Sequence, residues 1–202
     1  MLVTAVELVG VAAFAASGAL VGVTKYLDLF GVCVVGCVTA LGGGVLRDLL
    51  LGIHPPVAFT APAAATISVA VSLLVFRFHP IVRRRRREIL LLDAVGMGLF
   101  ASSGAAVALD RDAGAAAAVL IGMLTAVGGA VLRDTLVNEV PMLLRHDLYA
   151  VPALLGSFLV AVIAVAGVEV NVAVAIGTAV ATMTRLAAIR QQWALPKPRD
   201  PL

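Results

Sequence analysis

Two pairs of adjacent opposite charges, Arg47-Asp48 and Arg133-Asp134, lie inside long apolar stretches. Each follows a run of small residues, Gly42-Gly43-Gly44 or Gly128-Gly129-Ala130, and the same Val-Leu intervenes both times. A charge at the centre of a membrane helix costs about 2.5 to 3.5 kcal/mol on insertion scales, so these residues point to work with ions or polar solutes. A long Arg near a helix end can snorkel to the headgroups, whereas the Asp beside it is too short to follow. Neighbours on a helix point about 100° apart, which predicts that Arg47 does not readily neutralise Asp48 and that partners come from other helices, water or ions. A glycine inside a water-exposed helix costs about 0.8 to 1.0 kcal/mol against Ala, so clusters of them need a reason. Close helix packing is one; the other is a kink that turns backbone carbonyls toward a cavity, where they replace water around a cation. Ser17, Thr39, Ser103 and Thr125 could add hydroxyls to such a pathway, unless they bond their own backbone. His54, His79 and His146 have no metal-ligand spacing, and neither a Ser-His-Asp set nor a glycine-rich nucleotide loop is present. The expectation is therefore no enzyme, no cofactor and no metal beyond transient monovalent cations.

The elements that must position these residues are related by an internal repeat. Sliding the chain against itself by 86 positions brings Phe14-Ala15-Ala16-Ser17-Gly18-Ala19 onto Phe100-Ala101-Ser102-Ser103-Gly104-Ala105. The same offset brings Thr39 to Asp48 onto Thr125 to Asp134, Pro55 onto Pro141 and Glu7 onto Asp93. Glu7 and Asp93 thus start the first and fourth apolar spans, as interfacial residues or as parts of a vestibule. With three spans per copy, an odd number, the second copy enters the membrane from the opposite side, an arrangement typical of proteins that move solutes.

Composition sets the class. Of 202 residues, 61% are hydrophobic and 13% charged, with mean hydropathy +1.07, against roughly a quarter charged in a soluble domain. Cutting at charges and prolines predicts spans near 2–24, 29–51, 60–79, 90–109, 114–137, 147–167 and 169–189. The predicted fold is all-α: seven transmembrane helices, with a first three-helix repeat (1–82), a second, inverted one (88–167), a seventh helix (168–190) and a cytoplasmic tail (191–202). Net charge +3 reads as topology rather than nucleic-acid binding. Lys25, Arg77, Arg83 to Arg87, Arg145, Arg185, Arg190, Lys197 and Arg199 fall on one side of this assignment and Arg111 on the other. The positive-inside rule then puts the N-terminus outside and the C-terminus in the cytoplasm. Met1 to Gly10 has no Lys or Arg, so the start reads as a first span and not a cleaved signal. Cys33 and Cys37, four apart on one helix face, read as small packing residues.

The two copies of Gly-Gly-(Gly/Ala)-Val-Leu-Arg-Asp, with the two Ser-Gly-Ala segments, resemble the prokaryotic branch of the trimeric intracellular cation (TRIC) channel family, from about Glu7 to Arg190. That resemblance implies a seven-span homotrimer surrounded by membrane lipids, with a pore in each protomer for monovalent cations, potassium more than sodium. It implies kinks at Gly42 to Gly44 in the second helix and Gly128-Gly129 in the fifth. Arg47, Asp48, Arg133 and Asp134 would lie beside the pathway, and Ala130 would make the second kink milder. The same family has been labelled a glycine transporter, so a small-solute secondary transporter using the same midplane site is the alternative. A purely structural scaffold would leave both Arg-Asp pairs unexplained.

Overall fold

The computed structural model describes residues 2–82, 86–144 and 148–195. Of the basic residues behind the expected orientation, Arg83 to Arg85, Arg145, Lys197 and Arg199 lie outside these, as do His146 and residues 196–202 of the expected tail. Among the described residues eight α-helices follow in order: α1 (Leu2–Thr24), α2 (Leu29–Leu50), α3 (Val57–Thr60), α4 (Pro62–Val82), α5 (Arg86–Asp110), α6 (Ala115–Leu136), α7 (Ala150–Val165) and α8 (Val170–Gln191). A 3-10 turn at Met142–Leu144 precedes α7. Five helices, α1, α2, α5, α6 and α8, are long and apolar enough to cross a membrane. The apolar parts of α4 and α7 are shorter, Pro62–Phe78 and Ala150–Val165. α7 is four residues shorter at its two ends combined than a 20-residue span requires, because Tyr149 and Ala166 cap it.

The repeat is visible in helix caps as well as in helices. After α2, Gly52 takes a left-handed φ of 68°; after α6, Asn138 takes 54° at the equivalent place, and Gly and Asn are the residues that tolerate this conformation. In each case the next amide folds back onto the carbonyl of the motif acid five residues earlier: Ile53 N donates to Asp48 O at 2.8 Å, and Glu139 N to Asp134 O at 2.8 Å. Both motif acids therefore sit at a helix C-terminus whose orphan carbonyls are satisfied. The short α3 and the 3-10 turn, which the apolar pattern does not disclose, occupy equivalent places after Pro55 and Pro141.

α1, α2, α5 and α6 make the centre: α1 packs on α2 and α5, and α6 on α2 and α5. α4 lies against α1 and α2, and α7 against α5 and α6, while α8 packs on α5 and α7. Lys25, just before α2, pairs with Glu139, just after α6. At the other end Leu51, just after α2, packs against the cluster of Ala108, Ala118 and Ile121, which includes the start of α6, so α2 and α6 run antiparallel. The repeat-related rings of Phe14 and Phe100 stack with centroids 5.2 Å apart, where α1 meets α5.

Small residues permit this approach. A Cβ on Gly43 would overlap the carbonyl oxygen of Thr125, and one on Gly129 would overlap that of Thr39. Gly18 and Gly104 face the side chains of Thr39 and Thr125 in the same reciprocal way. Without lipid-phase hydrophobic drive, van der Waals and backbone contacts at such small residues hold membrane helices together. Helical hydrogen bonding runs unbroken through both glycine runs, from Leu29 to Leu50 and from Ala115 to Leu136.

Candidate functional site

Each Arg-Asp pair closes on itself, against the expectation from helix geometry. Arg47 Nε donates to Asp48 Oδ1 at 2.9 Å, and Arg133 Nε to Asp134 Oδ1 at 2.8 Å. The Cβ directions do diverge, but the long Arg side chain curls back over the last turn, where the short Asp is held in place. What holds it is the re-entrant backbone: Asp48 Oδ2 accepts from Val57 N at 2.8 Å, and Asp134 Oδ2 from Met142 N at 2.9 Å. Asp48 is thus 1% exposed, and its carboxylate is engaged on both oxygens.

The far end of each guanidinium reaches the other acid of its repeat. Arg47 Nη1 pairs with Glu7, and Arg133 Nη1 lies 3.0 Å from Asp93 Oδ1 and 3.1 Å from Ser17 Oγ. Arg47 does not pair with Asp134; each Arg joins two acids of its own copy. The motif charges therefore form two three-charge clusters at opposite ends of the α2-α6 pair.

Their environments differ. At the first cluster a cavity of about 140 Å³ is lined by Glu7, Gly44, Arg47 and Asp48, with Val11, Val57, Ala63 and Phe100 among its apolar walls. A Cβ at Gly44 would meet nothing within 4 Å, and the Glu7 side chain is 23% exposed. Glu7, more than Asp48, is the acid of this cluster that remains accessible. At the second cluster the equivalent positions are filled: Met97 stands for Val11, Ala130 for Gly44, Leu143 for Val57 and Tyr149 for Ala63. Arg133 is 1% exposed and Asp93 is fully buried.

Gly42 and Gly128 each face a leucine of the opposite copy, Leu132 and Leu46, while Gly43 and Gly129 make the backbone contact between α2 and α6. Thr39 and Thr125 donate to Val35 O and Ile121 O in their own helices, both at 2.6 Å. Ser17 reaches Arg133, and Ser103 is buried without a hydrogen-bond partner among the described residues. The site also contains two residues that the repeat could not reveal, Tyr149 and Arg185. Arg185, in α8, lies over the Tyr149 ring with Cζ 4.7 Å from its centroid. Its signal in the sequence was a charge inside the seventh apolar span, which by itself marks a functional candidate.

A multi-pass helical membrane protein with two repeat-related clusters, each a buried arginine bridging two acids, is the class these features define. The chain matches the family described as "Glycine transporter" over residues 4–80 and 90–165, and it belongs to that family. It is 38% identical to the UPF0126 inner membrane protein YadS of Escherichia coli K12, over 97% of this chain and 96% of that protein. To a UPF0126 membrane protein of Deinococcus radiodurans it is 45% identical, over 75% of this chain and 71% of the relative. Among solved structures, a TRIC cation channel studied for its conductance matches with a TM-score of 0.91 at 37% identity, over 98% of both chains. The trimeric intracellular cation channel orthologue of Rhodobacter sphaeroides matches with a TM-score of 0.91 at 36% identity, over 94% of this chain and 98% of that one. The resemblance to prokaryotic TRIC channels seen in the motifs thus extends to the whole fold.

Proposed function

We propose that this protein is a cation channel of the prokaryotic plasma membrane, potassium-preferring, with a pathway inside each protomer. The observation that carries the reading is the pair of arginine-acid clusters at opposite ends of antiparallel α2 and α6, joined where Gly43 and Gly129 bring the two backbones together. Its support from outside the chain is the likeness to TRIC cation channels. On this reading α4 and α7 span the membrane together with the five longer helices, residues 1–82 and 88–167 form inverted units, 168–190 is the added helix and 191–202 a cytoplasmic tail. Gly42 to Gly44 and Gly128-Gly129 let α2 and α6 bend as the path opens. Arg47, Asp48, Arg133 and Asp134 frame its ends, and three copies associate as in the orthologue described as trimeric.

The test is recording from purified protein in planar bilayers with potassium and sodium on opposite sides. Step-like currents are expected, with a reversal potential displaced from zero in the direction that marks potassium as more permeant than sodium. Glu7→Gln should lower single-channel conductance, by about twofold at 0.1 M salt and less at 1 M, because charges at a wet mouth are screened over about 10 Å and 3 Å respectively. Absence of unitary currents would end the channel reading.

A second reading, a small-solute transporter such as one for glycine, draws on the family description and on the asymmetry of the two ends, one open to a cavity and one packed. A transporter keeps a midplane site closed on at least one side. Saturable glycine uptake into proteoliposomes without unitary currents would favour it.

Orientation has its own measurement. A reporter fused after Leu202 should be cytoplasmic and one inserted at Asp110 external, since Leu202 follows α8 and Asp110 ends α5, and the proposed topology puts these helix ends on opposite sides. Both reporters on one side would remove the inversion.

A further inference from the structure

The helix outside the repeat adds a further difference between the two ends. Counted within the repeats, each cluster has one arginine and two acids: Glu7, Arg47 and Asp48, or Asp93, Arg133 and Asp134. Arg185 of α8 adds a second cation at the Asp93 end alone, where Tyr149 lies within electrostatic reach of Asp93, Arg133 and Arg185 together. Arg185 is 1% exposed, an expensive place for a charge unless the position is used. Its Nη1 donates to Leu148 O at 3.1 Å, its guanidinium lies over the Tyr149 ring, and its Nε and Nη2 find no hydrogen-bond partner among the described residues. The guanidinium is thus spent on holding the backbone and ring at the start of α7. Tyr149 in turn fills the place that Ala63 leaves open beside the cavity at the Glu7 end.

We propose that Arg185 is a positioning residue that latches the Asp93 end shut, by clamping Tyr149 into the space that is an open vestibule at the other end. A desolvated cation-π contact is strong enough to hold such a closure yet weak enough to be released. The latch rests on the proposed transport function, because a closed end matters only where solutes pass; its physical content, differential access to the two ends, is measurable without any flux.

The experiment measures labelling rates of single cysteines in detergent-solubilised full-length protein, with Cys33 and Cys37 replaced by Ala and a cationic, water-soluble methanethiosulfonate as probe. Gly44→Cys and Ala130→Cys place thiols at repeat-equivalent positions, one facing the cavity and the other in the packed cluster. Gly44→Cys should react rapidly and Ala130→Cys slowly. Adding Arg185→Gln, or Tyr149→Leu, should accelerate Ala130→Cys by about tenfold or more, the factor that loss of a desolvated cation-π contact gives. Tyr149→Phe should leave it slow, because the ring is kept and only the hydroxyl is lost. Gly44→Cys should be unchanged throughout, which shows that the fold is intact. Slow labelling of Ala130→Cys in both Arg185→Gln and Tyr149→Leu would overturn the latch, and so would acceleration at both ends together, which assigns Arg185 to general packing. If the parent protein carries no current but Ala130→Cys responds as expected, the channel reading fails and the latch stands. If currents are present and labelling does not respond, the reverse holds.

Discussion

Gly43→Ala and Gly129→Ala should each lower the thermal midpoint of the solubilised protein by several degrees, while Gly44→Ala leaves it within a degree. The three glycines look equivalent in the sequence, and the difference comes from what a single added methyl group meets. At Gly43 and Gly129 it meets a carbonyl oxygen of the opposing helix, which belongs to backbone and cannot rotate away. α2 and α6 must separate, and overpacking of this kind costs about 1 to 3 kcal/mol. At Gly44 the methyl enters open space. For a chain of this size 1 kcal/mol corresponds to about 2 to 4 °C, so the first two variants are distinguishable from the third in a fluorescence-detected melting series. Gly43→Leu goes further and should abolish flux, since the side chain must displace α6 or occupy the place where the proposed pathway narrows. Equal melting of all three alanine variants would mean that α2 and α6 are not held at Gly43 and Gly129.

Removing the two motif arginines should have unequal consequences, although their sequence contexts nearly match. Arg133→Met leaves Asp93, fully buried, and Asp134 without the cation that bridges them. Breaking a buried ion pair by removing one partner costs about 3 to 5 kcal/mol, enough to lose most of the folded protein. Arg47→Met leaves Asp48 with the Val57 amide and Glu7 with a cavity that admits solvent, so the cost should be less than half as great. Arg47→Met should therefore still be purified and recorded, with altered open probability. The check is the yield and melting of both variants side by side, together with Arg133→Met/Asp93→Asn, which removes one of the stranded charges and should recover part of the loss. Equal losses for Arg47→Met and Arg133→Met would show that the two ends share one environment.

The helices, their order and the duplication were legible because each is a local or periodic property of the chain. Apolar runs place α1, α2, α6 and α8 within a residue or two of their ends, and the 86-residue offset pairs every motif without a gap. Legible too were the residues of both clusters, since a charge in an apolar span stands out wherever it finally points. The antiparallel pairing of α2 and α6, by contrast, follows from packing between copies, and only there do Gly43 and Gly129 differ from their neighbours.

What the sequence could not determine was how each charge is satisfied. Side-chain reach and the re-entrant turns decide that Arg47 curls onto Asp48 while Val57 N holds the other carboxylate oxygen, a contact between residues whose Cβ vectors diverge. Nor could the repeat reveal the difference between its ends, because Tyr149 stands where the first copy has Ala63 and Arg185 belongs to the helix outside the repeat. Composition and spacing determined that this is a duplicated helical membrane protein with two arginine-acid motifs, since insertion energetics and helical period act on each segment separately. Which end is open was decided by tertiary structure alone, because cavity and closure depend on side chains from α5, α7 and α8 meeting at one point, and no single segment carries that information.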